Sequence, residues 1–260
     1  MKEPATIDEV IALLEEIIND SQRLNNPLGY FATLYHKVTV KVKEGIAANF
    51  FDDGPRMEKL DVVFARRYLD AYSAYQNQQL VTQPWEKAFL LTNNYWPIVL
   101  QHLLMGINAH INLDLGIAVA EISRGKDIEE VKDDFNKINQ ILGDLVDQVE
   151  NELAQVWPTL KLILKWTRDA DNFLVDFSMK VARNGAWRFA TNLSGLPDDQ
   201  WEDFIQKRGE KVAKNARIVS HPGIVVSFLF GIARLGERGT VGDKIGKLRG
   251  NVSTVSDAIY

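Results

Sequence analysis

The stretch PIVLQHLLMGINAHINLDLGIAVAEIS, residues 97–123, decides the fold. When it is drawn as a helix, apolar side chains lie on nearly every side. A helix that is apolar all round is buried in the core of a protein. The pattern therefore predicts a central helix from about Pro97 to Ser123, enclosed by other helices.

The rest of the chain also shows the spacing of three and four residues that is typical of helices. The predicted helices around the central one cover residues 6–24, 30–48, 56–76, 84–89, 128–157, 160–192, 197–216 and 223–235. The β-branched run Val38–Val42 would also suit a strand, but the apolar spacing before it favours a helix. We therefore predict an all-α protein: a single-domain multi-helix bundle over residues 1–236, followed by a Gly-rich tail over residues 237–260.

Composition excludes several classes of function. The 260 residues carry a net charge of −5, which argues against a general nucleic-acid binder, because phosphate neutralisation needs a basic excess. The absence of cysteine removes disulfides and thiolate metal sites together. The first 24 residues interleave acidic and apolar side chains, so no secretory signal is expected. No membrane span is predicted either, and a cytoplasmic protein is the default expectation.

Polar residues interrupt the apolar central helix. His110 and Asp114 are four residues apart, one turn of helix, and are offset by about 40°. Imidazole and carboxylate on one face suit a divalent metal ion such as Zn, Fe or Mn. The same pair can equally be a buried hydrogen bond that fixes two helices. His102 lies two turns before His110, and Gly106 between them leaves space that a neighbouring helix or a ligand could fill.

A metal site needs a further ligand from another helix. Asp61 is the best candidate, because it places a charge inside an apolar stretch. Its alternative partner is Arg66 or Arg67, in a salt bridge. Asp176 is placed similarly, with Arg183 as a partner that would explain it.

The remaining histidines are weaker candidates. His36 is expected to be exposed on its helix, and His221 is expected in a cap or loop. Four arginines could hold an anionic substrate if they converge, although salt bridges within the bundle explain each of them singly. These arginines are Arg56, Arg67, Arg183 and Arg188.

Three segments resemble a family of mainly bacterial proteins known only as a domain of unknown function. They are YFATLY (residues 30–35), FDDGPRMEKLDVVFARRYLDA (51–71) and LQHLLMGINAHINLDLGIA (100–118). The resemblance covers roughly residues 28–235, and the H-x7-H-x3-D segment is its most specific part. It implies an all-helical domain and no particular activity. It directs attention to six residues: Asp61, Arg67, His102, Asn108, His110 and Asp114.

Three functions follow as hypotheses. The first is a metal-dependent enzyme, a hydrolase, in which His110, Asp114 and Asp61 bind the metal and His102, Asn108 and Arg67 are catalytic. The second is a metal-free cyclase or isomerase that uses a His–Asp pair as acid and base in an apolar pocket. The third is a non-catalytic helical scaffold. For either enzyme the expected partner is a small-molecule substrate, anionic if the arginines converge, and a homo-oligomer is left open.

Overall fold

The computed structural model describes residues 2–157, 179–221 and 223–250, and within them it contains helices and no strand. The prediction of an all-α bundle around a buried central helix is confirmed. The helices are α1 (Ile7–Leu24), α2 (Gly29–Ala47), α3 (Gly54–Gln76), α4 (Gln83–Leu90), α5 (Val99–Ala109), α6 (Leu115–Ile122), α7 (Lys132–Val156), α8 (Met179–Ser194), α9 (Trp201–Asn215), α10 (Arg217–Ser220), α11 (Ile224–Gly236) and α12 (Val241–Arg249). Residues 160–178 of the predicted segment 160–192, among them Asp176, lie outside the described residues.

Polar side chains set the ends of the first helices. The Thr6 hydroxyl accepts the backbone N–H of Glu9 at 3.2 Å and caps α1, as short hydroxyl side chains do at helix starts. Asn25 ends α1 in the left-handed conformation, with φ of 54°, which asparagine tolerates better than most residues. Asp53 caps α3 by accepting the N–H of Arg56 at 2.9 Å.

The central helix consists of α5 and α6 joined without a break by a π-turn over His110–Asp114. In this turn the N–H of Leu115 donates to the carbonyl of His110, five residues back. Helices α2 and α4 pack against α5, whereas α3 and α8 pack against α6. By length and mean hydropathy, Val99–Ile122 would suffice to cross a bilayer, but 89% of its most apolar stretch is buried inside the protein.

Two apolar clusters surround the central helix and meet at the π-turn. The first contains the residues of α5 up to Ala109, together with α1, α2 and α4. The second begins at Ile111 and contains α6 with parts of α3, α7 and α8. The polar pair His110 and Asp114 therefore lies at the junction of two hydrophobic cores.

The first part of the predicted tail belongs to the packed domain. Helix α12 buries Ile245 and Leu248 against α1, α2 and α7. The side chain of Glu237, 3% exposed, pairs with Lys244 at 2.6 Å and accepts the backbone N–H of Val99 at 2.8 Å. Of the Gly-rich tail predicted for residues 237–260, residues 237–250 are thus packed against the bundle. Residues 251–260 lie outside the described part of the chain.

Candidate acid–base site at the π-turn

His110 and Asp114 form a buried pair. Nδ1 of His110 lies 3.2 Å from Oδ2 of Asp114, and the two residues are 2% and 1% exposed. A carboxylate can only accept hydrogen bonds, so Nδ1 carries the proton and Nε2 has the lone pair. The π-turn favours this contact, because its wider turn brings residues four apart closer to one line than an α-helix does.

Two further helices hold Asp114 in place. The indole N–H of Trp85, on α4, donates to Oδ2 at 2.8 Å. The guanidinium of Arg67, on α3, approaches Oδ1 with Nε at 3.7 Å, which is an ion pair and too long for a hydrogen bond. Arg67 remains 31% exposed, so it links the buried pair to the surface. The orientation of His110 is thus fixed by three separate helices.

The imidazole of His110 is enclosed by aromatic rings. The Phe64 ring stacks on it with centroids 3.6 Å apart and planes 9° from parallel. Tyr35 meets it edge-on at 4.4 Å, and Phe31, Tyr68 and Trp85 complete the enclosure. Nε2 of His110 is buried, and within the part of the chain that the structure describes it has no hydrogen-bond partner.

Burial keeps His110 neutral. It lowers the pKa of the imidazole below its usual value, although the hydrogen bond to Asp114 and the charge of Asp114 oppose this shift. A neutral imidazole with one nitrogen held by a carboxylate and the other free is the arrangement of a general base. The bare Nε2 also costs stability, since an unsatisfied buried polar atom is unfavourable by about 1–3 kcal/mol.

Asp61, on α3, is also buried. It is 6% exposed, its Oδ2 has no hydrogen-bond partner, and burial raises its pKa to about 8, with a smaller contribution from Glu58. Neither predicted salt bridge to it forms, because Arg66 binds the Pro4 carbonyl and Arg67 faces Asp114.

The predicted metal-ligand set is not assembled in the described ranges. Among residues 2–157, 179–221 and 223–250, no three His, Asp or Glu side chains are arranged to hold a metal ion. Asp61 is not joined to His110 and Asp114 in such a group. The charge of Arg67 beside Oδ1 of Asp114 would also repel a divalent cation bound to that oxygen.

His102 lies apart from the pair. It is buried, and its ring contacts Tyr30 at 5.5 Å. Burial, together with the charges of Arg234 and Lys244, lowers its pKa to about 3. The space at Gly106 is filled by Phe31 of α2, whose Cδ2 would lie 2.2 Å from an added Cβ. A neighbouring helix, and no ligand, therefore fills that space.

Asn108 ties two helices together. Its side-chain amide donates to the carbonyl of Val212 on α9 at 3.2 Å, and its oxygen accepts from Asn112 at 3.2 Å. Both polar atoms of the Asn108 side chain are therefore used in hydrogen bonds within the fold. The catalytic role predicted for Asn108 stays a prediction.

The four arginines do not converge. Arg56 pairs with Asp134 at 3.1 Å, and Arg188 is exposed. Arg183 is buried on α8, where it donates to the Phe135 carbonyl. Only Arg67 reaches the His110–Asp114 pair.

His36 was predicted to be exposed, and this was wrong. It is 4% exposed, because Glu15 of α1 covers it with Oε1 3.4 Å from Nε2. His221 is exposed after α10, as expected for a loop residue.

Sequence reasoning missed the residues that enclose His110, most of all Trp85. Trp85 was assigned to a short helix and given no function. One general signal was present, since a buried tryptophan usually finds an acceptor for its N–H. The acceptor could not be identified from spacing, because α4 and the central helix meet only in the folded protein.

The fold and site define an all-helical protein built around a buried central helix with a buried His110–Asp114 pair at its π-turn. The chain belongs to the family of unknown function DUF5995, whose model matches residues 7–222. The resemblance seen in the sequence is therefore confirmed. No curated protein and no solved structure matches the chain.

Proposed function

We propose that this protein is an enzyme in which His110 and Asp114 act as a general acid–base pair, without a metal ion, on a small molecule in an apolar pocket. One observation carries the proposal: Asp114 is fixed by Trp85 and Arg67 and orients His110, yet Nε2 of His110 has no partner. A purely structural pair would be expected to satisfy both imidazole nitrogens.

The chemistry that suits this arrangement is proton transfer. Nε2 takes a proton from the substrate, the resulting imidazolium is stabilised by Asp114, and the proton is then returned at a second position. An isomerase or a cyclase works in this way. Aromatic walls exclude water, which strengthens the attraction between the imidazolium and the carboxylate.

Hydrogen exchange tests the proposal directly. The protein is incubated in D2O with a panel of short 2-oxo acids and unsaturated acids, and loss of carbon-bound hydrogen is followed by NMR. We expect exchange with the wild-type protein and a rate lower by about 100-fold in His110→Gln, as is typical for removal of a general base. His221→Gln, an exposed histidine, is the control and should keep the wild-type rate.

Equal rates in wild type and His110→Gln would contradict the proposal. A structural pair predicts no exchange at all, together with a loss of about 3–5 kcal/mol of stability in Asp114→Asn, as for a broken buried ion pair.

The metal-dependent hydrolase expected from the sequence remains an alternative that metal analysis tests. Dialysis against a chelator should leave the exchange rate unchanged if His110 works without a metal. Stoichiometric metal in the purified protein, with activity lost on chelation and restored by Zn, Fe or Mn, would favour the hydrolase instead.

A further inference from the structure

A second group of buried polar atoms surrounds a cavity next to the His110 site. The cavity measures about 50 Å3, enough for several water molecules, since each needs roughly 10–15 Å3 by this kind of measure. Five helices form its walls: α2, α3, the central helix, α7 and α8. Tyr35, Asp61, Phe64, Leu115, Phe135 and Arg183 are among the lining residues.

Three polar side chains in this wall, Tyr35, Asp61 and Arg183, are buried and incompletely satisfied. Asp61 is 6% exposed and Arg183 is 3% exposed. Among the described residues, Oδ2 of Asp61, Nε of Arg183 and the hydroxyl of Tyr35 have no hydrogen-bond partner. Arg183 donates through Nη2 to the Phe135 carbonyl and lies over the Phe135 ring, with its Cζ 4.2 Å from the centroid. The rest of the wall is aliphatic and aromatic.

The charges in this wall favour the binding of an anion. Burying a cation is costly unless it is paired, and within the described residues Arg183 binds a neutral group, the Phe135 carbonyl, rather than a carboxylate. Because burial raises the pKa of Asp61 to about 8, this carboxyl group is neutral at pH 7 and can donate a hydrogen bond. The cavity thus offers one positive charge, two neutral donors (the Asp61 carboxyl and the Tyr35 hydroxyl) and otherwise apolar walls.

The cavity adjoins the acid–base pair through shared walls. Tyr35 and Phe64 line the cavity, and both contact the ring of His110. A rotamer change of Phe64, which covers one face of the imidazole, would open the cavity onto His110. The same change would make room for a ligand larger than the few water molecules that about 50 Å3 holds.

We propose that this cavity binds a short-chain carboxylate, with its charged group at Arg183, a second polar group at Asp61 and its apolar chain against Phe64 and Leu115. The ligand class rests on the proposed function, because the bound molecule would be the substrate presented to His110. Binding of the carboxylate and hydrogen exchange by His110 are nevertheless measured separately, so either proposal can be contradicted without the other.

Methionine methyl NMR provides the test, with butyrate as the probe. Met57 lines the cavity, whereas Met105 lies in the other apolar cluster. Butyrate should shift the Met57 signal in a saturable way and leave Met105 unchanged. Butanol and butylammonium, which match its length but lack the negative charge, should shift Met57 only at much higher concentration.

Variants identify the residue that binds the charge. Arg183→Met should weaken butyrate binding by about tenfold or more, as expected when a charged hydrogen bond is lost. Arg188→Met, an exposed arginine on the same helix, should bind as the wild type does. If Arg183→Met does not fold, Ile138→Phe, which fills the cavity from α7, should abolish the Met57 shift instead.

His110→Gln separates this proposal from the proposed function. It should bind butyrate normally, even though it has lost hydrogen exchange. No saturable shift of Met57, or equal binding of butyrate and butanol, would overturn the carboxylate site while leaving the acid–base pair untouched. Exchange that is absent while butyrate binds would overturn the catalytic role alone.

Discussion

At the scale of single residues, Asp114 is the centre of the site, because it accepts from both Trp85 and His110. Both hydrogen bonds reach the same oxygen, Oδ2. Because His110 and Asp114 are closed off from solvent, water cannot replace a lost hydrogen-bond donor. The contribution of Asp114 to the stability of the folded protein therefore depends on the Trp85 donor as much as on His110.

Trp85→Phe tests the first of these donors. The change keeps an aromatic ring but removes the N–H that binds Asp114, so we expect the free energy of unfolding to fall by about 1–3 kcal/mol. Urea unfolding measures it. Trp96→Phe, at a side chain that is 63% exposed, should change stability by no more than about 0.5 kcal/mol. Equal effects of the two changes would show that the Trp85–Asp114 bond is not stabilising.

Asp61 should make stability depend on pH. Its pKa is about 8 in the folded protein, against 3.8 for an ordinary aspartate. The folded state therefore holds one more proton than the unfolded state between these values, and stability falls as pH rises through this window. For one group the slope is about 1.4 kcal/mol per pH unit.

Asp61→Asn should remove this contribution. Relative to the wild type, the variant should gain stability steadily as pH is raised from about 4.5 to about 7.5. Urea unfolding at several pH values measures the difference, with the exposed Asp133→Asn as control. Parallel pH curves for Asp61→Asn and the wild type would show that Asp61 is not protonated in the folded protein.

At the scale of elements, close approach of α2 to the central helix depends on Gly106. Phe31 occupies the place of a side chain at this position, and its ring also contacts His110. The glycine therefore allows one wall of the site to form.

Gly106→Ala should destabilise the protein by about 1–3 kcal/mol, because the added methyl overpacks the core against Phe31. Gly231→Ala on α11 is the matched control. Nothing lies within 4 Å of its added Cβ, so it should stabilise the helix by up to about 1 kcal/mol. Thermal unfolding compares the two. A neutral Gly106→Ala would mean that α2 and the central helix are packed less closely than described.

Most elements could be predicted from the sequence, because their apolar spacing and caps are local signals. Thr6 and Asn25 bound α1 as expected. The π-turn could not be predicted, since it keeps the same apolar pattern as an α-helix. The pair His110 and Asp114 was visible from its spacing, whereas Trp85 and the cavity wall depend on contacts between distant segments. His36 was misjudged because Glu15, which covers it, is on another helix.

At the scale of the whole molecule, two apolar clusters meet at the polar π-turn, and α12 closes the bundle on the side of α1 and α2. Ile245 is fully buried in the first cluster. The C-terminal segment thus contributes to the same core as α5, whose first N–H group, that of Val99, it caps through Glu237.

Ile245→Ala should therefore lower the free energy of unfolding by about 2–5 kcal/mol, as for other large-to-small changes in a core. Ile232→Ala, at a residue that is 44% exposed, should have a small effect. Chemical denaturation with a single tryptophan-fluorescence transition would show that α12 unfolds with the rest. An Ile245→Ala protein as stable as the wild type would show that the tail is not part of the domain.

The most direct measurement is long-range 1H–15N NMR of the histidine side chains, which reports the protonation state of each ring nitrogen. We expect His110 to be neutral at pH 7, with its proton on Nδ1 and a bare Nε2, and we expect Asp114→Ala to remove this preference. A His110 protonated on Nε2, or charged at pH 7, would contradict the oriented acid–base pair on which the proposed function depends.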